Sequence, residues 1–146
     1  MSSQPVFFPP GYEFIEWLGQ GGMGLVAKAR DKGLGRDVAV KLIRPELSDR
    51  ETVRGAFERE AQAMARVRHR NVIEIYACGQ IEDVPYFVME LVPGRSLADY
   101  LDAKFGEPLP VDVALGLLTQ VCAGVAAIHS AGGRAPRSQT RQRAAR

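Results

Sequence analysis

Cysteine is scarce in this chain, with two in 146 residues. Cys78 and Cys122 lie far apart and lack metal-ligand spacing, so neither a disulfide framework nor a metal module is indicated. Both are expected to be buried, reduced thiols of a cytoplasmic protein. A signal peptide is also lacking: Met1 to Pro10 has no basic region and no long apolar run. The longest apolar stretch, Val111 to Ile128, is interrupted by Asp112, Thr119 and Gln120 and is expected to be too polar to span a membrane. No internal repeat is present. Acidic side chains are missing from the last fourteen residues, which carry Arg134, Arg137, Arg141, Arg143 and Arg146. Setting those five aside leaves 14 basic against 17 acidic residues, so the net charge of +2 belongs to the tail and the body is mildly acidic. That balance argues against a nucleic-acid-binding domain.

What is there is globular. The chain is 46% hydrophobic and 25% charged, and its length suits one domain with a sizeable core. Residues 1–11 read as a proline-bearing leader. Strands are expected at Tyr12 to Leu18, Leu25 to Arg30 and Asp37 to Ile43, the last two joined by the turn cluster Asp31 to Gly35; together they form an antiparallel meander. Val53, Phe57, Ala61, Met64 and Ala65 recur at helical spacing within residues 50–68, with Ser48 or Asp49 as the cap. Strands at Val72 to Ala77 and Tyr86 to Val92 follow. Pro93 and Gly94 break the chain, Ser96 caps a short helix from Leu97 to Ala103, and a longer helix runs from Val111 to about His129. Strands, a helix, strands and then helices alone make an α+β fold.

Two features carry chemistry. The first is Leu18-Gly19-Gln20-Gly21-Gly22-Met23-Gly24-Leu25-Val26. A dinucleotide-binding fold would start a helix inside the glycines, whereas the residues after Gly24 alternate like a strand. A P-loop would end in Gly-Lys-Ser/Thr, and this run ends in Gly24-Leu25-Val26. A hairpin tip that folds over phosphates remains, beside the plainer alternative of an ordinary glycine-rich hairpin. Glycine backbone approaches oxygen closely and its N–H groups can cradle an anion. The second feature is Lys41, inside the apolar strand Val38-Ala39-Val40-Lys41-Leu42-Ile43. Alternation puts Ala39 and Lys41 on one face, Val38 and Val40 on the other. A lysine so placed needs a partner unless it faces solvent. Glu60 is the candidate: it follows Phe57 by three residues and precedes Met64 by four, so it projects from the apolar side of its helix, and a carboxylate there calls for a cation. Pairing of Glu60 with Arg59 or Arg66 on its own helix is the weaker alternative.

On these residues the chain resembles the eukaryotic-type protein-kinase family, in its bacterial serine/threonine branch, over residues 12–132. Leu18 to Val26 matches the glycine-rich loop, Val38 to Lys41 the lysine strand, and Phe57-Glu58-Arg59-Glu60-Ala61 the helix with the pairing glutamate. His69 to Ile73 matches the turn before the fourth strand, Tyr86 to Val92 the fifth strand and hinge, and Gly94 to Leu97 the start of the next helix. The resemblance implies a kinase N-lobe over 12–92, a five-stranded antiparallel sheet plus one main helix that binds ATP, followed by the first two helices of a truncated helical C-lobe over 93–132. It implies that Val26 and Ala39 sandwich adenine, that Met89 is the gatekeeper, and that backbone groups of Glu90 and Leu91 or their neighbours bind the adenine edge. Residues Leu18, Gly19, Gln20, Gly21, Gly22, Met23 and Gly24 would cover the phosphates, while Lys41 and Glu60 form the catalytic pair. His69 and His129 are read as structural. Mg²⁺ and a protein substrate belong to intact members of the family.

After Gly132 the family continues into the motif H-R-D-L-x-x-x-N, whose Asp takes the substrate proton and whose Asn binds magnesium. Residues 133–146 contain neither Asp nor Asn. They read as an aberrant arginine-rich tail, expected to be disordered, and the isolated chain is expected to be inactive. Permitted codons exist for Gly133 to Arg146 that, read one base later, translate as Val-Val-His-Arg-Asp-Leu-Lys-Pro-Ala-Asn-Val-Leu-Leu directly after Gly132. A one-base frame change near Gly132, in the gene or in its sequencing, is therefore the expectation, with a genuine, functional arginine-rich tail as the alternative. Sequencing the genomic DNA across codon 132 should return codons that open this second frame; codons incompatible with it would leave an arginine-rich tail as encoded.

Overall fold

The computed structural model describes residues 8–22, 24–103 and 107–131; the expectations for residues 1–7 of the leader, for Met23 and for the tail lie outside them. Five strands form one antiparallel sheet: β1 (Tyr12–Gln20), β2 (Gly24–Asp31), β3 (Arg36–Ile43), β4 (Ile75–Ile81) and β5 (Val84–Glu90), in the order β1-β2-β3-β5-β4. The helices are α1 (Glu51–Ala65), α2 (Leu97–Asp102) and α3 (Val111–Ser130). The chain divides into two compact units. One holds the residues up to Gln62 together with Ile75–Leu91, and the other holds Ala63–Glu74 and the residues from Val92 onward.

In the first unit the strand period sorts the side chains. Ala29, Val38, Val40, Leu42 and Val88 gather on one face of the sheet with Tyr12, Trp17, Tyr76 and Tyr86 packed against them. The opposite face carries Val26, Ala39, Lys41, Phe87 and Met89, which lie in register as Val26↔Lys41↔Phe87 and Ala39↔Met89. Helix α1 buries Phe57, Glu60 and Ala61. Its Phe57 ring lies 4.9 Å from that of Phe87, so the helix packs on the Lys41 face. The β2–β3 turn closes where expected. Asp31 Oδ1 accepts from the backbone N–H groups of Gly33 and Leu34, and Gly35 takes the left-handed φ of +64° that a side chain would resist.

Several boundaries differ from expectation, each for a local reason. Ser48 does not cap α1; its hydroxyl donates to the Pro45 carbonyl and closes a short 3-10 turn at Pro45–Leu47. Helix α1 stops at Ala65 because the Val67 N–H turns back to Met64, and Val67 joins Val72 and Ile128 in a separate apolar cluster. Val72 is thereby removed from β4: its N–H donates to the His69 carbonyl, while His69 Nδ1 accepts from the Asn71 N–H. Strands β4 and β5 are longer than expected at their shared turn, which is Glu82-Asp83, both at positive φ (45° and 65°). This is a two-residue hairpin turn of the kind glycine or asparagine usually supplies, so nothing in its composition announced it.

In the second unit, α2 begins with a reciprocal cap. Ser96 Oγ accepts from the Asp99 N–H while the Asp99 carboxylate accepts from the Ser96 N–H. Hydrogen bonds from the Ser96 side chain and then its backbone hold the Asp99 carboxyl below its ordinary value. Helix α3 turns one side to the turn at 69–72. The Asn71 side-chain amide donates to the Gln120 carbonyl at 3.0 Å, and Gly124 and Ile128 are buried. Leu117, Val121 and Val125 lie near this stripe and are half-buried. The exposed large apolar residues of this helix are Val111, Val113, Leu115 and Leu118.

Two expectations are corrected. Cys78 and Cys122 are exposed, because Cys78 sits on β4 at the edge of the sheet and Cys122 lies on the outer side of α3. Helix α3 also has the length and composition to cross a membrane, with 20 residues and an 18-residue stretch of mean hydropathy 1.9. The residues thought too polar are accommodated. Thr119 bonds back to the Leu115 carbonyl and Asp112 sits in the first turn. The buried stripe of Gly124 and Ile128 nevertheless ties this helix to protein.

A Cβ at Gly124 would stand 2.8 Å from the Asn71 carbonyl oxygen. Gly124→Ala should therefore lower stability by about 1–3 kcal/mol, whereas Gly116→Ala, which meets nothing within 4 Å, should raise it by up to about 1 kcal/mol. Urea unfolding midpoints of the two variants check this; equal midpoints would contradict the close approach.

Candidate functional site

Strand β3 carries Lys41 to the α1 side of the sheet, and the 3.6-residue period of α1 carries Glu60 to meet it. Lys41 Nζ lies 2.7 Å from Glu60 Oε1. The glutamate side chain is 3% exposed and the lysine 14%. A carboxylate this deeply buried is costly unless a cation neutralises it. The ammonium also stands 5.6 Å from the Phe87 ring centre and 6.0 Å from that of Phe57, within reach of both ring faces. One of its three protons serves Glu60, and its partial exposure leaves others to meet an incoming anion.

The glycine run bends from β1 into β2 beside this ammonium. Its glycines differ in what a side chain would meet. A Cβ on Gly24 would lie 2.7 Å from the Leu42 carbonyl oxygen and 3.6 Å from Lys41 Cε, so the lysine stem runs alongside this residue. Gly21 donates its N–H to the Gly24 carbonyl at 2.8 Å, folding the tip on itself. Gly19 and Gly22 have nothing within 4 Å of an added Cβ. Neither is among the positive-φ glycines of the described residues, which are Gly11, Gly35 and Gly94. Nothing within the described chain requires glycine at these two positions.

The remaining described candidates lie in the same unit. Val26, Ala39 and Met89 are buried on the Lys41 face. Glu90 closes β5 and Leu91 follows it, both half-buried. Gln20 and Leu18 end β1, where a register shift between Trp17 and Gly19 leaves Leu18 exposed. Met23 lies outside the described residues. Sequence reasoning missed Arg44, whose Nε donates to the Gly21 carbonyl at 3.0 Å, and the aromatic pair Phe57–Phe87 around the ammonium. An arginine after a strand has no distinguishing pattern, and the ring pair joins residues thirty apart. Among the described residues no three His, Cys, Asp or Glu side chains come together as a metal site.

Comparison with known proteins points to one family. The protein kinase domain model matches residues 12–133. A probable serine/threonine-protein kinase of Clostridium perfringens is 36% identical over 121 residues, covering 83% of this chain and 17% of that protein. Serine/threonine-protein kinase PrkC of Bacillus subtilis is 37% identical over 119 residues, covering 81% and 18%. Among solved structures, the Mycobacterium tuberculosis PknI kinase domain superposes with a TM-score of 0.77 at 25% identity, over 90% of this chain and 53% of that domain. The chain thus spans less than a fifth of these two curated relatives and about half of a solved kinase domain.

The ion pair can be tested through its energetics alone. Lys41→Met leaves the Glu60 carboxylate buried without its cation and should cost about 3–5 kcal/mol, while Lys41→Met combined with Glu60→Leu should recover most of that loss. A double-mutant cycle in urea measures this, and additive losses would mean that the two groups do not depend on each other. With the family match, the five-stranded sheet and the lysine–glutamate geometry all falling on the same residues, the chain belongs to the protein kinase family, in its bacterial serine/threonine branch.

Proposed function

We propose that this chain is the ATP-gripping portion of a serine/threonine protein kinase. The whole reaction would transfer the γ-phosphoryl group of ATP to a protein hydroxyl: the bond from the γ-phosphorus to its bridging oxygen breaks, and one to the hydroxyl oxygen forms. Such chemistry is carried mostly by positioning and electrostatics. The single observation behind the reading is the buried Lys41–Glu60 pair beside a glycine loop with open backbone at Gly19 and Gly22. In this reading Lys41 takes phosphate oxygens, Glu60 holds the ammonium in place, and backbone N–H groups of the glycine loop, that of Gly22 among them, cover the anion. Val26 and Ala39 bracket the adenine with Met89 behind it, and the backbone at Glu90 and Leu91 meets its edge. Bound magnesium would supply charge neutralisation between phosphates.

The same reading makes the chain a holder of nucleotide that does not transfer phosphate. Residues 133–146 contain no carboxylate to take the hydroxyl proton and no asparagine to hold the metal. A frame change near Gly132 accounts for this, and a cytoplasmic setting, where ATP is available, accompanies the proposal. ATP without magnesium should raise the melting temperature, by an amount that grows with the logarithm of ATP concentration above Kd. Phosphotransfer to a generic protein substrate should stay at background. Turnover that vanishes in Lys41→Met would overturn the non-catalytic reading, and an unmoved melting temperature at millimolar ATP would overturn nucleotide binding.

A further inference from the structure

We infer that Arg44 fixes the direction of the Gly21–Gly22 peptide, so that the loop offers an N–H rather than a carbonyl to the phosphates; this rests on the nucleotide reading above. Arg44 Nε donates to the Gly21 carbonyl oxygen at 3.0 Å. The residue follows β3 with φ −62° and ψ 130°, an extended backbone, so strand alternation carries through it. Val38, Val40 and Leu42 occupy the face away from Lys41, and Arg44 continues that series. The guanidinium therefore holds the Gly21 carbonyl from the side opposite the ammonium. A trans peptide is planar, with its C=O and N–H directed oppositely, and the described residues contain no cis bond. A carbonyl drawn toward Arg44 turns the N–H of Gly22 toward the Lys41 side.

The neighbouring donor cannot serve in its place, because the Gly21 N–H is already bonded to the Gly24 carbonyl at 2.8 Å. Two adjacent glycines carry no steric barrier against rotation of the peptide between them. With the guanidinium gone, that peptide can reverse and aim its carbonyl oxygen at an anion, which repels it. Arg44 is thus a positioning residue. It acts through one backbone group and does not touch the nucleotide.

The test uses the full 146-residue chain in magnesium-free buffer, with dissociation constants for ATP and adenosine by calorimetry and the Gly22 amide followed by NMR. Arg44→Ala should weaken ATP on the order of tenfold, the scale of one charge-assisted hydrogen bond, and leave adenosine within about twofold. The Gly22 amide should shift on adding ATP in the parent chain and stay in place in Arg44→Ala. Arg44→Lys should recover part of both the affinity and the shift. A parent chain that binds neither ligand overturns the nucleotide reading and this inference together. ATP binding that is unchanged in Arg44→Ala, or weakened no more than adenosine binding, overturns this inference alone. So does Arg44→Lys restoring affinity without the Gly22 shift, since charge and not peptide direction would then be the cause.

Discussion

A carboxylate removed from water and matched by one ammonium is the constraint on which the site depends. Burying Glu60 at 3% exposure is unfavourable by itself, so α1 can dock on the sheet in this register only if Lys41 is there to meet it. The two residues lie nineteen apart and on different kinds of element, and their contact at 2.7 Å sets both the rotation of α1 and the reach of the lysine stem. Phe57, one turn from Glu60, packs on Phe87, which pairs with Lys41 across the sheet. Apolar packing and the charge pair therefore specify the same placement of the helix. Burying a side chain such as Phe57 contributes about 2–3 kcal/mol, so the rings supply much of the stability while the charges supply the register.

Around that pair the glycines divide by physical role. Gly24 lies against the β3 backbone and the lysine stem, with no volume for a methyl group. Gly35 supplies a left-handed turn residue. Gly19 and Gly22 answer to neither demand. Among the described glycines outside the positive-φ positions, Gly19, Gly22 and Gly116 meet nothing within 4 Å of an added Cβ, and the first two share the loop that runs beside the Lys41 stem. The bond from the Gly21 N–H to the Gly24 carbonyl and the one from Arg44 to the Gly21 carbonyl tie that loop to itself and to the end of β3.

The second unit follows a different logic. Its order comes from a turn: His69 and Asn71 satisfy one another locally, and the Asn71 side chain reaches the backbone of α3. Gly124 lets the helix come close enough for that bond, and Val67, Val72 and Ile128 close around it. Most of the remaining surface of α3 is apolar and open, with Leu115 and Leu118 each 58% exposed. An apolar face of this kind is what further chain would cover in a larger fold.

The amino-acid sequence by itself determined the strand and helix order, the face on which Lys41 sits, and the side of α1 from which Glu60 projects. Those are consequences of periods of 2 and 3.6 residues, which act between near neighbours and are written into the pattern of apolar positions. The β2–β3 turn was equally legible, because Asp31 and Gly35 are the residue types such a turn needs. What only the tertiary structure decided involves partners distant in sequence or conformations that composition does not advertise. The Glu82-Asp83 turn is left-handed without glycine because the pairing of β4 with β5 imposes it. Val67 and Val72 look like helix and strand residues, yet they leave both elements for a cluster with Ile128. The exposure of both cysteines depends on which strand became an edge and which side of α3 was packed. The grip of Arg44 on Gly21 joins residues twenty-three apart through a backbone oxygen, and a backbone oxygen has no letter in the sequence.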